Sequence, residues 1–244
     1  MLKIALIGYG AMGNLIESIS KANGCQVVGI IDPKLGKELT QNNLADATVA
    51  IDFSVGSSVY KNAKKVLSFG KKLVIGVTGW EEQFQNVKDL TQRCNGGLIY
   101  GSNFSIGMNI FFQLTAFLAK KMNKTKDYDV YGLEKHHTRK IDAPSGTAIS
   151  LSKIILNSID RKKRLIGNLN RKIEDDEFQF TSVRVGDISG DHTIDFVSNF
   201  DNISITHSAK SREGFAVGAC LAAHFISDKN GFFNFTEQFN KIVG

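Results

Sequence analysis

The stretch Lys3-Ile4-Ala5-Leu6-Ile7-Gly8-Tyr9-Gly10-Ala11-Met12-Gly13 decides the fold. Its first five residues form a short apolar run rich in branched side chains, the pattern of a strand buried on both faces of a parallel sheet. Glycines follow at G-x-G-x-x-G spacing, and a helix is expected over residues 12–22, closed near Asn23-Gly24 by a left-handed glycine. The next apolar run, 26–31, ends at Asp32-Pro33. Strand, glycine turn, helix, strand, acidic residue is the order of a dinucleotide-binding βαβ unit. Gly8 would make the tight turn, Gly10 would let a pyrophosphate approach the backbone, and Gly13 would let helix pack on strand. The whole turn, with Tyr9, Ala11 and Met12 between the glycines, is a candidate cofactor site at a helix N-terminus, where unpaired N–H groups attract phosphates. Asp32 can accept ribose hydroxyls. Its charge favours NADH, because a carboxylate repels the 2′-phosphate of NADPH, while Lys34 can offset that phosphate and keeps NADPH open.

Further apolar runs at 49–53, 72–77 and 97–100 alternate with helical stretches at 57–69 and 81–94. That alternation predicts an α/β Rossmann-type domain, a parallel sheet with helices on both faces, over residues 1–103. The pattern then changes. A strongly apolar helix is expected at 108–122, a second at 147–158, and strand-like runs at 128–136, 178–188, 192–198 and 203–208 are mostly separated by turns. These predict a smaller α+β domain with an open mixed sheet over 104–211. A helix at 211–226 carries small residues, Gly218, Ala219, Ala222 and Ala223, and should pack closely against a neighbour.

The chain has 244 residues, 42% of them hydrophobic, with a formal charge of +6, enough for a sizeable core in one or two domains. The lysines are scattered, and the densest run, Arg161-Lys162-Lys163-Arg164, lacks interleaved aromatics. It reads as a solvated face or loop, which argues against a nucleic-acid partner. A modest positive field suits an anionic cofactor or a carboxylate substrate instead. Cys25, Cys94 and Cys220 form no CxxC pair, so neither a zinc site nor a disulfide framework is indicated, and a reduced cytoplasm is the expected setting. The apolar start is too short for a signal peptide or a membrane span.

The most specific stretch is Glu134-Lys135-His136-His137-Thr138-Arg139-Lys140-Ile141-Asp142-Ala143-Pro144-Ser145-Gly146-Thr147-Ala148. Proline and serine place a helix N-terminus here, where Ser145, Gly146 and Thr147 would offer hydroxyls and N–H groups to a carboxylate. His136 brings a group that titrates near neutrality and Lys140 a fixed positive charge, a pair suited to proton delivery. Paired histidines can also ligate a metal, but only Glu134 and Asp142 lie at ligand spacing, which argues against one. A hydrolase built on Ser145 would need a GxSxG elbow, and the sequence has none there.

This stretch resembles the signature of the dihydrodipicolinate reductases, also called 4-hydroxy-tetrahydrodipicolinate reductases. GYGAMG (8–13), DFS (52–54), IGVTG (75–79), NFSIGMN (103–109) and VRVGDISGDHT (183–193) appear in that family's order. The resemblance implies NADH- or NADPH-dependent reduction of a cyclic imine dicarboxylate in lysine biosynthesis. It also implies a second domain that builds a homotetramer and a C-terminal segment, 212–244, that returns to the first domain. His136 matches the family's proton donor or acceptor and Lys140 its catalytic lysine; His137, Gly146 and Thr147 match substrate-binding positions, with Ser145 adjoining. Gly76, Val77 and Thr78, with Gly101, Ser102, Asn103 and Phe104, match loops at the nicotinamide end of the cofactor. Two departures stand out: Val77 replaces a common threonine, and Pro33 occupies the place of an arginine found in enzymes that take both cofactors. Competing readings are another two-domain dehydrogenase on the same scaffold and a catalytically silent dinucleotide sensor, which need not keep His136, Lys140 and Ser-Gly-Thr together.

Overall fold

In β1 (Leu2–Ile7) successive side chains enter two different cores: Ile4 and Leu6 join one apolar cluster, Ala5 and Ile7 another. Both faces of the strand are covered, which is why its sequence shows no polar alternation. The computed structural model describes all residues, 1–244. By contacts the chain divides into two units, Met1–Ile106 with Arg212–Gly244, and Gly107–Ser211.

The first unit is built on a six-stranded parallel sheet. β2 (Cys25–Ile31) and β3 (Val49–Asp52) flank β1, and β4 (Lys72–Ile75), β5 (Gly97–Tyr100) and β11 (Gly231–Asn234) extend the sheet beyond β3, in the order β11-β5-β4-β3-β1-β2. Its main helices are α1 (Ala11–Ser20), α3 (Val59–Ser68), α4 (Phe84–Arg93), α7 (Glu213–Ile226) and α8 (Phe235–Val243), with a single turn, α2 (Gln41–Leu44), after β2. The small-residue stripe of α7 is buried in the cluster that holds Ile4 and Leu6. A Cβ on Gly218 would stand 1.8 Å from the carbonyl oxygen of Phe104, so only glycine permits that approach. Three elements of this unit were not expected from the sequence. β11 and α2 are four residues each, below the length at which periodicity is readable. α8 did leave a signal, since Asn234 caps it by accepting the N–H of Glu237.

The second unit carries a five-stranded mixed sheet, order β10-β9-β6-β8-β7, from β6 (Asp129–His136), β7 (Arg164–Ile166), β8 (Glu177–Arg184), β9 (Asp191–Val197) and β10 (Asn202–Ser208). β6 pairs antiparallel with β9 and parallel with β8. Phe178, Phe180, Ile194 and Phe196 form its core with Met108 and Phe112 of α5 (Ile106–Met122) and Leu151 and Ile155 of α6 (Gly146–Ser158). The alternation of β6 buries Val130, Gly132, Glu134 and His136 on one face. Two polar residues of the signature therefore point inward with the core. The run expected to end at residue 188 stops at Arg184, because Gly186 turns at φ +52°.

The basic run at 161–164 corrects a sequence-based expectation in part: residues 161–163 lie in a loop and Lys163 and Arg164 are exposed, as expected, but Lys162 is not solvated. Lys162 is buried, its Nζ 2.7 Å from Asp129 and 3.1 Å from the carbonyl of Asp175. Arg161 donates to the carbonyls of Met122 and Tyr128, and Arg164, in β7, pairs with Asp176. The partners are remote or separated by a turn, so all four consecutive cations look solvated until the fold brings carboxylates to Lys162 and Arg164. Glu177 shows the same clustering. A bond from Arg171 and the N–H of Glu174 hold its carboxyl down to about 2. A depressed carboxylate contributes stability in full above its unfolded pKa of about 4.3 and loses it as pH falls through the folded value. Acid melts should therefore show a fall in Tm between about pH 4.3 and pH 2 that is shallower in Glu177→Gln; an identical slope in the variant would refute the assignment.

Candidate active site

The glycine turn of the first unit has the geometry that phosphate binding requires. Gly8 sits at φ +85°, and a Cβ there would lie 2.8 Å from the backbone of Ser54. At Gly13 a Cβ would meet the carbonyl oxygen of Gly8 at 2.4 Å. Gly10, by contrast, has nothing within 4 Å of its Cβ direction, and it opens α1 with no side-chain cap. Bare N–H groups thus face open space. Asp32 is tied to this turn: Oδ2 accepts the N–H of Tyr9 at 2.8 Å and Oδ1 that of Lys34 at 2.9 Å. Those two bonds hold its carboxyl below the usual carboxylate range. Each oxygen keeps a lone pair for a ribose hydroxyl, so these residues fit a dinucleotide.

The two other loops expected at the cofactor divide between lining and support. Val77, Thr78, Gly101 and Ser102 line a cavity of about 220 Å³ walled by Trp80, Phe84 and Tyr100. Trp80 donates its indole N–H to the carbonyl of Val77 at 2.9 Å, fixing that loop through backbone contacts that do not need a threonine hydroxyl. Gly76 lies under the ring of Phe53, Asn103 accepts the N–H of Ser105 at 2.9 Å, and Phe104 is buried against Phe235, with ring centroids 4.7 Å apart. These three hold the lining residues in place.

In the second unit the signature folds around a buried carboxylate. Glu134 Oε1 accepts the backbone N–H of Ser145 at 2.9 Å and the Ser182 hydroxyl at 2.6 Å. Its other oxygen meets His136 Nε2 at 3.1 Å and His192 Nε2 at 3.4 Å. Burial alone would push this carboxyl up, but bonds from His192, Ser145 and Ser182 outweigh it and hold Glu134 well below its ordinary range, hence ionised. Burial pushes His136 the other way, below the usual imidazole value; Glu134 opposes the shift, while His192 and Lys140 reinforce it. The two imidazoles meet edge to face, centroids 5.2 Å apart.

Around this network Lys140 pairs with Asp142 at 2.7 Å, and Arg184 clamps the loop by donating to the carbonyls of Lys140 and Asp142. His137 donates its backbone N–H to Ile188. Ser145 caps α6, its Oγ accepting the N–H of Ala148 at 3.1 Å and lying 3.3 Å from His192 Nε2. One expectation needs correcting here. The N–H of Ser145 does not stand open for an anion, because Glu134 takes it; Gly146 and Thr147, the next residues of the helix, are the more exposed ones. Sequence reasoning gave His192 no role and weighed Glu134 only as a ligand to a metal it argued against. The pairing of β6 with β9 brings them within 4.8 Å of one another and of His136, a grouping invisible to spacing along the chain. The block GDISGDHT, which contains His192, was the only signal.

A parallel sheet opening on a glycine turn, joined in one chain to a buried histidine–carboxylate site, defines an oxidoreductase of the two-domain nucleotide-dependent class. Family models described as dihydrodipicolinate reductase, N-terminus, and dihydrodipicolinate reductase, C-terminus, match residues 2–104 and 107–239. The chain belongs to the dihydrodipicolinate reductase family. It is 39% identical over 234 residues to the 4-hydroxy-tetrahydrodipicolinate reductase of Christiangramia forsetii, covering 95% of each chain. It is 34% identical over 267 residues to the enzyme of that name from Methanocaldococcus jannaschii, covering 96% of each. The fold matches a dipicolinate-bound dihydrodipicolinate reductase from Paenisporosarcina sp. TG-14 with a TM-score of 0.79 at 22% identity, over 97% of this chain and 99% of that one.

Proposed function

We propose that this protein reduces the cyclic imine derived from 4-hydroxy-tetrahydrodipicolinate to tetrahydrodipicolinate, a step of lysine and diaminopimelate biosynthesis, in the cytoplasm. The observation that carries the reading is that Glu134, which takes the Ser145 N–H at the start of α6, also meets His136, with the charge of Lys140 bearing on that imidazole; this supports a proton carrier and a cation near a helix end suited to an anion. The names of the relatives, and the dicarboxylate named with the Paenisporosarcina structure, support the same substrate class. Gly146 and Thr147 bind one substrate carboxylate through α6, with Ser145 adjoining as the cap, and Lys140 with His137 offsets the charge. A bound reduced nicotinamide supplies the hydride. His136 delivers the proton to the enamine that results, directly or through a water it orients. The turn from Gly8 to Gly13 and Asp32 hold the dinucleotide; Gly76 to Thr78 and Gly101 to Phe104 hold its nicotinamide end.

The test is absorbance at the nicotinamide band with each reduced cofactor in turn and substrate made in situ by the preceding synthase. Oxidation that depends on the synthase product is expected; none with either cofactor, despite binding, would return the protein to the sensor reading. Asp32 favours NADH, and Asp32→Ser should weaken NADH by about tenfold while narrowing the gap to NADPH, since a lost charge-assisted bond is worth roughly 1.5 kcal/mol. Equal losses for both cofactors would remove Asp32 from discrimination.

The open sheet of the second unit is the proposed tetramer interface. Tyr131 and Val183 are large, apolar and exposed there, on β6 and β8. Light scattering on Val183→Asp would show smaller species than the parent protein if the reading holds.

A further inference from the structure

We propose that Glu134 is a positioning residue that fixes the tautomer of His136, so that proton transfer in the reaction runs through Nδ1 and not through Nε2. This rests on the functional reading above and deepens it. An ionised carboxylate only accepts hydrogen bonds, so any ring nitrogen facing it must carry the hydrogen. His136 faces Glu134 Oε2 with Nε2, which is therefore the N–H, and Nδ1 is left as the lone-pair nitrogen of the neutral ring. The Nδ1 atoms of His137, His192 and His207 are buried without partners, and that of His136 is not among them. The ring has little freedom to flip. His192 packs against it edge to face, and a Cβ on Gly190 would already stand 3.0 Å from its Cε1.

The other end of Glu134 makes the assignment directional. Oε1 receives the backbone N–H of Ser145, a donor that cannot become an acceptor. In Glu134→Gln the amide oxygen must therefore stay on the Ser145 side, and the amide NH₂ must face His136. Nε2 would then have to accept, which moves the ring hydrogen to Nδ1 and inverts the tautomer. The charged and titratable groups bearing on His136 are Glu134 on its own strand, His192 from β9 and Lys140 in the following loop; from β8 Ser182 is uncharged, and Arg184 is turned to carbonyls. In the step itself the Nδ1–H bond of the imidazolium breaks as the substrate C–H bond forms. The ring returns neutral with Nε2–H still on Glu134, and the carboxylate stays ionised throughout.

The experiment is long-range proton–nitrogen correlation NMR on histidine-labelled protein without substrate, with His136 assigned by the loss of its signals in His136→Gln. The wild type is expected to show His136 as the Nε2–H tautomer and Glu134→Gln as the Nδ1–H tautomer. Steady-state kinetics should then show kcat reduced by about 10²- to 10⁴-fold in Glu134→Gln, since a wrong tautomer in an otherwise intact carboxylate–histidine pair can cost about 10⁴-fold. KM for the dinucleotide should be unchanged, and a residual pH optimum should be displaced to lower pH, because the imidazolium loses its counter-charge. An Nδ1–H tautomer in the wild type overturns the proposal, as does an inverted tautomer with undiminished kcat. So does a stoichiometric metal ion that survives dialysis against chelator. If Glu134→Gln fails to fold, the wild-type tautomer still decides. A wild type inactive on the imine would sink the functional reading while leaving the tautomer result standing, so the two failures are distinguishable.

Discussion

Replacing His136 by alanine is expected to lower turnover by about 10²- to 10⁴-fold, the usual contribution of a positioned acid or base. Binding of the reduced dinucleotide should stay within about twofold, because the glycine turn and Asp32 belong to the other unit of the chain. Fluorescence titration of the bound nicotinamide against steady-state kcat separates the two effects. The sign of the pH dependence follows from the environment. Burial lowers the pKa of His136 in the folded enzyme, so the protonated donor is scarce at neutrality, and the rate should rise as pH falls toward that lowered value. The alanine variant should lose this limb of the profile along with its rate. Lys140→Ala is expected to differ in kind. Its ammonium pairs with Asp142 and leaves that carboxylate uncompensated when removed, so KM for the dicarboxylate should rise together with a fall in kcat. Equal loss of dinucleotide affinity in either variant would take these residues out of the chemistry.

Gly218→Ala should be among the most damaging single-methyl additions to the first unit. The new Cβ would lie 1.8 Å from the Phe104 carbonyl oxygen and 2.7 Å from its carbon, backbone atoms that cannot swing aside as a side chain would. Helix and loop must separate, which costs about 1–3 kcal/mol or more. A melt should register it as a drop of roughly 2–4 °C for each kcal/mol in a chain of this length. Because the displaced segment is the one that ends at Gly101 to Phe104, dinucleotide affinity should fall as well. Gly214→Ala in the same helix is the control. Its Cβ would come no closer than 3.6 Å to Ser105 Oγ, so the gain in helix propensity should leave the protein unchanged or slightly more stable. Equal melts for the two variants would mean that the close approach of α7 to the loop does not exist in solution.

What the sequence made legible was local. The turn from Gly8 to Gly13, the helix that follows and Asp32 lie within one βαβ unit, and their order alone implied the parallel sheet. The cap at Ser145 was equally plain, since proline and serine before a helical run are short-range signals. The long-range pairings were hidden. Nothing near Glu134 in the chain announces that Ser182 and His192 will bond it, because those contacts depend on β8 and β9 lying on either side of β6. The same cause explains the misreading of Lys162, whose carboxylate partner Asp129 lies on β6. Ser145 shows a subtler limit: the sequence indicated a helix start but not that a buried carboxylate would already hold its N–H.

The bond between Asp32 and the N–H of Tyr9 has a bearing on how such an enzyme can change its coenzyme. The same carboxylate that would sense the sugar also latches the turn that would cradle the phosphates, so recognition and scaffold are written in one side chain. A redesign toward the phosphorylated coenzyme that simply deletes the charge would loosen the latch as it opens the gate. It would need a neutral acceptor, asparagine for instance, to keep the turn closed, with the new cation recruited from elsewhere, and Lys34 is already stationed two residues away.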